Sequence, residues 1–122
     1  MEKLIAFFEI PAADFSRAVK FYNHVFQIDM VVFECEREKM AFFPEEDGKF
    51  PGAISWAEDF QPSDAGILVS LRVDSMEEAC SRILSASGLI VRPKTKIEAD
   101  GLGYFAMFAD SEGNHVGLYS DK

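Results

Sequence analysis

The 122-residue sequence predicts an α+β fold in which one strand–helix–three-strand unit, a βαβββ module, occurs twice. Two amphipathic helical segments each follow an apolar strand-like segment, and three further strand-like segments follow each helix. Asp14 and Asp74 stand immediately before the two helices, which indicates an internal duplication. We therefore expect two modules in one chain that form a curved mixed sheet around a trough, with the helices on the convex face.

The first module is predicted to cover about residues 1–60. It begins with an apolar segment, 4–10, which we interpret as a largely buried strand. Asp14 then provides a helix N-cap, and apolar residues recur at helical spacing over 15–26. Turn-forming residues separate the three strand candidates that follow, which are 30–36, 39–44 and 52–57.

The second module is predicted to cover about residues 65–122 and repeats this order. A strand at 66–73 precedes a capping box formed by Ser75 and Glu78, which opens the second helix, and Gly88 is placed to end it. Three more strand candidates follow, at 89–97, 104–110 and 115–120. We expect 61–66 to link the modules and the whole chain, 1–122, to form a single domain.

The composition limits the classes of partner. A net charge of −9 argues against nucleic acids and anionic membranes, which the chain would repel, and leaves room for a neutral or cationic small molecule. The N-terminal apolar stretch is too short to span a bilayer. Cys35 and Cys80 lie among apolar neighbours and are expected to be buried free thiols. These features predict a cytoplasmic protein.

Two polar side chains are expected to face the trough. Glu9 is the charged residue of the first apolar strand and is a candidate general base, its pKa raised by aromatic neighbours. Its alternative role is a structural ion pair with Arg17 or Arg72. His115, in the last strand, is a candidate acid or ligand, or else a polar residue at the mouth of the trough.

Aromatic residues provide a second set of candidates, because the chain contains twelve Phe. Such rings line an apolar pocket that stacks a flat ligand, or they close the trough and form part of the core or of a dimer seam. The ligand-binding candidates are Phe7, Phe42, Trp56, Tyr104 and Tyr119.

Three basic residues, Arg92, Lys94 and Lys96, alternate along one predicted strand. Alternation places them on one face of that strand. There they receive an anionic tail of a ligand, or they protect a solvated sheet edge.

Two motifs carry a family resemblance: "IPAADFSRAVKFY" near the start and "GYFAMFADSEGNHVGL" near the end. The sequence resembles the vicinal-oxygen-chelate superfamily, which includes glyoxalase I, bleomycin-resistance proteins and extradiol dioxygenases. The resemblance covers nearly the whole chain and is nearest to small proteins related to lactoylglutathione lyase. It implies a single glyoxalase/bleomycin-resistance-like domain, the paired βαβββ modules and a homodimer.

The resemblance also implies where a metal would bind. In metal-using members, His, Glu or Gln from the first and last strands of each module hold a divalent ion that polarises substrate oxygens. Matched to this sequence, those positions fall on Phe7, Leu68 and Gly117, with a fourth near 53–55. Phe, Leu and Gly side chains donate nothing to a metal, so we expect neither a metal nor another cofactor.

A relocated divalent metal site is the alternative to this expectation. Glu9 and His115 both have trough-facing parity and would supply two ligands, completed by Ser70 or Ser55.

Two functions therefore follow from the sequence. The first is a metal-free protein of bleomycin-resistance type that binds and sequesters an aromatic or cationic small molecule. The alternative is a lyase or isomerase related to lactoylglutathione lyase, with Glu9 as base and His115 as acid or metal ligand. A structural dimer module with a closed trough is a third possibility.

Overall fold

The computed structural model describes residues 4–99 and 101–122. The elements of the first module are β1 (Phe8–Pro11), α1 (Phe15–Phe26), β2 (Val31–Glu34), β3 (Glu38–Phe42) and β4 (Gly52–Ala57). Those of the second are β5 (Ser70–Arg72), α2 (Met76–Ser85), β6 (Leu89–Lys96), β7 (Tyr104–Ala109) and β8 (His115–Ser120). The predicted α+β fold with a repeated βαβββ order is confirmed.

The strands form two four-stranded mixed sheets with the same internal order. The first sheet runs β1-β4-β3-β2 and the second runs β5-β8-β7-β6. In each module the first strand pairs in parallel with the last, and the other pairs are antiparallel. The duplication seen in the sequence is thus a duplication of sheet topology, and the curved surface is built from two sheets.

The two helices cover one face of the sheets. Helix α1 contacts both modules, because its Tyr22 packs against Phe43 beside the first sheet and against Phe108 in the second, with ring centroids 5.7 and 6.4 Å apart. The strand residues buried on this covered face are Ile10, Ala41, Ile54, Ala106, Phe108, Val116 and Leu118. The side chains that alternate with them form the opposite face, which we call the open face.

The first strand of each module is shorter than predicted. Segments 52–57 and 115–120 match β4 and β8, but 4–10 and 66–73 shorten to β1 and β5. The side chains left outside are exposed, with Leu4 at 96% and Ile67 at 95%. The reason is pairing: β1 lies beside β4, and β4 begins only at Gly52, opposite Phe8. Strand propensity is present in 4–7, but among residues 4–99 and 101–122 no strand pairs with this segment.

The turn between β7 and β8 joins the second module to the first. The Glu112 carboxylate accepts hydrogen bonds from the backbone amides of Ala13 and Asp14 at 2.9 and 2.7 Å. The Arg17 guanidinium donates to it as well, through Nε at 2.7 Å and Nη2 at 3.0 Å. The Glu112 side chain is 1% exposed. A carboxylate from the second module therefore completes the N-terminus of the first module's helix.

Asp110 and Asn114 extend this contact. The buried Tyr22 hydroxyl donates to Asp110 at 2.7 Å, and the Asn114 side-chain amide donates to the Pro11 carbonyl at 2.7 Å. The Asn114 side-chain oxygen accepts from the Ser63 amide at 2.9 Å, so the linker is held too. The two motifs that carried the family resemblance thus bond to each other, and we call this set of bonds the inter-module clamp.

The clamp shifts the pKa of three of its members. The hydrogen bond to Glu112 raises the pKa of Arg17. Burial raises the pKa of Tyr22 well above its usual value, and the Asp110 carboxylate adds to the shift. Burial also acts to raise the pKa of Glu112, but hydrogen bonds from Arg17, the Asp14 amide and Ser111 outweigh it and lower the pKa overall. Glu112 therefore stabilises the folded state in its ionised form.

We predict that Glu112→Gln makes the protein less stable and less sensitive to acid. Because the folded pKa is depressed, the wild-type contribution is present above the unfolded pKa of about 4.3 and is lost as the pH falls through the folded value. The variant should lose about 1–3 kcal/mol of unfolding free energy at neutral pH and show a flatter decline below about pH 5. Urea unfolding at several pH values measures both, and the exposed Glu58→Gln is the charge-matched control. A wild-type acid profile in Glu112→Gln would contradict this role.

We also predict that Gln27→Gly stabilises the protein. Gln27 ends α1 in the left-handed region, with φ 54° and ψ 50°, where a glycine has no steric penalty. The gain should be about 0.5–1 kcal/mol of unfolding free energy, measured by urea unfolding. Gln61→Gly is a matched control: each glutamine side chain donates to the carbonyl three residues earlier, at 2.7 Å for Gln27 and 3.1 Å for Gln61, but Gln61 has no positive φ. A loss of stability in Gln27→Gly would contradict the prediction.

Candidate functional site

Glu9 and His115 line one cavity between the modules, with a volume of about 290 Å³. Glu9 comes from β1 and His115 begins β8. Met107 of the neighbouring strand β7 and linker residues between 60 and 69 complete the wall. The two side chains that the sequence singled out as catalytic candidates are therefore brought together from different modules.

Strand alternation and the clamp position this pair. Ile10 is buried on the covered face, so Glu9 points to the open face, and His115 is placed likewise by the buried Val116. The bond from Asn114 to the Pro11 carbonyl then ties the residue before His115 to β1, two residues after Glu9. The same contact that joins the modules thus sets the position of the cavity.

The hydrogen-bond partner of Glu9 is Ser55, whose hydroxyl donates to the carboxylate at 2.8 Å. The expected ion pair with Arg17 or Arg72 is wrong. Arg17 lies on α1 beside Glu112, and Arg72 pairs with Asp121 at 3.0 Å. No basic residue within 4–99 and 101–122 forms an ion pair with Glu9, so its carboxylate has a neutral donor on one side and the cavity on the other.

A second cavity of about 220 Å³ adjoins the first and shares Glu9 and Phe60 with it. Trp56 and Lys39 also line it, and the Lys39 ammonium lies 5.3 Å from the centroid of the Trp56 ring. Trp56 follows the covered-face alternation of Ile54 and packs partly against the core. The Trp56 ring therefore forms part of the cavity wall, and the core already covers part of it.

Two of the other aromatic candidates lie in the first module. Phe42 is on the open face of the first sheet, between Phe33 and Phe50, with centroid distances of 5.7 and 4.7 Å. Phe7 directly precedes β1 and is 51% exposed. Neither position coincides with the residues that line the cavity of Glu9 and His115.

Tyr104 and Tyr119 occupy opposite faces of the second sheet. Tyr104 alternates with the buried Ala106 and packs partly against the core on the covered face, with the Lys94 ammonium 4.6 Å from its ring centroid. Tyr119 lies on the open face and lines a third, larger cavity of about 1060 Å³ between β1 and β5, together with Phe8. The five aromatic candidates are therefore spread over several surfaces and do not form one pocket.

The side chains at the family's metal positions do not fit a metal ion. Phe7 and Leu68 carry no donor atom, and Gly117 has no side chain. A Cβ atom at Gly117 would collide with the Ser70 hydroxyl on the adjacent strand, so a ligating side chain has no room there. Within 4–99 and 101–122, no group of three His, Cys, Asp or Glu residues is placed to hold a metal.

The linker is also part of the site, which its sequence did not predict. Residues of 61–66, which was expected only to connect the modules, line the cavity of Glu9 and His115 together with the flanking Phe60, Ile67 and Leu68. The apolar character of Ile67 and Leu68 was visible, but we assigned it to a strand. The expectation of two buried thiols is also wrong for Cys35, which is exposed, while Cys80 is half-buried and both are free.

These features define a class: a duplicated βαβββ protein with an open sheet face and a cavity between its modules. The sequence matches the Glyoxalase/Bleomycin resistance protein/Dioxygenase superfamily over residues 4–118, and the chain belongs to that superfamily. A search of curated proteins gives no match. Neither helix of the described residues is long and apolar enough to cross a membrane.

Solved structures with the same fold come from several organisms. A glyoxylase/bleomycin resistance protein/dioxygenase domain from Frankia sp. EAN1pec aligns over 100% of both chains with a TM-score of 0.74 and 12% identity. The fosfomycin resistance protein FosX from Listeria monocytogenes, complexed with Mn(II) and sulfate, aligns over 98% of this chain and 91% of its own, with a TM-score of 0.70 and 15% identity. A point mutant of glyoxalase I from Zea mays aligns over 93% of this chain and 44% of its own, with a TM-score of 0.72 and 17% identity. At these identities the likeness shows a shared fold.

Proposed function

We propose that the protein binds and sequesters a small organic molecule in the cavity of Glu9 and His115, without a metal ion. The observation that carries this proposal is the chemistry of that cavity. A carboxylate without a cationic partner in the described chain faces a wall that contains Phe60, Leu68 and Met107. Apolar walls with a few polar groups that fix orientation are typical of small-molecule sites.

The charge and size of the site favour a small cationic or aromatic ligand. Glu9 and Asp64 line the first cavity, which has no Lys or Arg among its described lining residues, and Glu9 and Glu38 outnumber Lys39 in the second. The volumes of about 290 and 220 Å³ suit a compact molecule. Phe60 supplies aromatic surface that attracts a cation, whereas the Trp56 ring already has the Lys39 ammonium 5.3 Å from its centroid.

We predict that Glu9→Gln weakens the binding of small aromatic cations. Benzyltrimethylammonium and benzamidine are suitable probes, and benzyl alcohol is the neutral comparison. The loss of a charge-assisted contact should weaken the cations about tenfold and leave the alcohol unchanged. Calorimetric or NMR titration measures both affinities.

Glu58→Gln is the matched control for this experiment, because it removes the same charge from an exposed residue outside both cavities. It should bind the probes as the wild type does. Equal affinity of Glu9→Gln and wild type for both cations, or no binding of any probe, would refute the proposed site.

The alternative proposal, an isomerase or lyase, is favoured by the convergence of Glu9 and His115 on one cavity. A carboxylate and an imidazole at one site are suited to take a proton from one carbon of a bound molecule and return it to a neighbouring atom. The same variants separate the two functions. Exchange of the α-proton of α-hydroxycarbonyl compounds with solvent deuterium, abolished in Glu9→Gln with binding retained, would favour the enzyme.

We propose the absence of a metal because Phe7, Leu68 and Gly117, at the family's metal positions, have no side-chain donor atoms. The titrations described above test this when a metal ion replaces the organic probe. Mn(II) or Ni(II) in place of the organic probes should not change thermal stability, whereas an ion at a hundred times its dissociation constant would add about 2.7 kcal/mol. A saturable shift that disappears in both Glu9→Gln and His115→Asn would establish the relocated metal site instead.

We further propose that the protein forms a homodimer in the cytoplasm. The exposed apolar edge strand β2 supports the dimer, because an edge strand of this kind can pair with another chain. Its exposed apolar side chains are Val31, Val32 and Phe33. The two free cysteines support a reducing compartment. Sedimentation equilibrium should give twice the chain mass of 13.7 kDa, and a single-chain mass would contradict the dimer.

A further inference from the structure

A row of aromatic rings and guanidinium groups crosses the open face of the second sheet. Tyr119 and Phe105 stand directly opposite each other on β8 and β7. The guanidinium carbon of Arg72 lies 4.8 Å from the centroid of the Tyr119 ring, and that of Arg92 lies 5.2 Å from the centroid of Phe105. Two cations thus lie over two adjacent rings, one at each side of the row.

Strand irregularity brings Arg92 into this row. The sequence predicted Arg92, Lys94 and Lys96 on one face of the strand, and that is wrong. The register between β6 and β7 shifts twice, between Ile90 and Arg92 and between Arg92 and Thr95. Each shift turns the following side chains to the other face. Arg92 therefore faces Phe105, while Lys94 lies over Tyr104 on the covered face.

The chemistry of the row suits an oxyanion. A guanidinium that stacks on a ring by its face keeps its N–H edge available, and that edge matches the geometry of carboxylate and phosphate oxygens. Arg72 already makes such a contact, since it donates to the Asp121 carboxylate at 3.0 Å. Both partners are largely exposed, so this pair is weak and exchangeable. Arg92 forms no ion pair with a described carboxylate.

We propose that Arg72, Tyr119, Phe105 and Arg92 form a binding platform for the carboxylate or phosphate group of a small molecule. Asp121 is an internal competitor for it. The net charge of −9 disfavours a polyanionic partner, and the two guanidinium groups favour a small anion at this place. The platform lies about 13 Å along β8 from His115 on the same face, so it is separate from the site proposed above.

The test is a titration with phenyl phosphate and with benzoate at low ionic strength, followed by NMR. Arg72→Gln and Arg92→Gln should each weaken binding about tenfold. Asp121→Asn should strengthen binding about two- to fivefold, because it removes the competing carboxylate. Lys20→Gln, which makes the same charge change on the exposed side of α1, is the control and should leave affinity unchanged. Both arginines are exposed, and thermal unfolding verifies that each variant folds.

The comparison of the two anions identifies the preferred group, and binding of either one supports the platform. No binding of either anion, or affinities unaffected by the arginine variants, would overturn it, as would weaker binding in Asp121→Asn. Glu9→Gln separates this proposal from the previous one. It should not weaken the anions, and the arginine variants should not weaken benzyltrimethylammonium.

Discussion

The structure depends on one carboxylate, that of Glu112, which is held by two backbone amides and a guanidinium of the other module. Helix α1 has no acidic residue in its first turn, whereas α2 has Glu77 and Glu78. Glu112 adds a second carboxylate, beside that of the N-cap Asp14, at the positive end of α1. Because this side chain is almost completely buried, the contact is less screened by solvent than a surface ion pair. The relative position of the two modules follows from it, and so does the cavity between them.

This arrangement separates the residues that hold the fold from those available to bind a ligand. The motif residues Asp110, Glu112 and Asn114 are bonded to the first module and face inward. Glu9 and His115, which lie within two residues of clamp residues in the sequence, alternate outward to the open face. The superfamily's motifs therefore identify the fold strongly, while the chemistry depends on a few neighbouring positions. In this chain those positions offer one carboxylate, one imidazole and, further along the second sheet, two stacked guanidinium groups.

The sequence predicted well those features that depend on residues close together in the chain. The N-caps Asp14 and Ser75, the helical stripes and the alternation around Val116 all proved correct, because each depends on residues close in sequence. The shortened β1 could not be predicted, since its length is set by where β4 begins. The faces of Lys94 and Arg92 depend on register shifts against β7, and the partner of Arg17 lies 95 residues away. The position of Tyr104, by contrast, could have been predicted. Its alternation with Ala106 places it on the covered face, which excludes it from the ligand-binding candidates.

The two modules differ in where the acidic groups at the N-terminus of their helix come from. Helix α2 has Glu77 and Glu78 in its own first turn, whereas α1 has no acidic residue there and receives Glu112 from the second module. If the modules were separated, α1 would keep its N-cap Asp14 but the amides of Ala13 and Asp14 would turn to water, and the Glu112 carboxylate would become exposed without its amide and guanidinium partners. Because these contacts need groups from both modules, neither module retains them when it is expressed by itself.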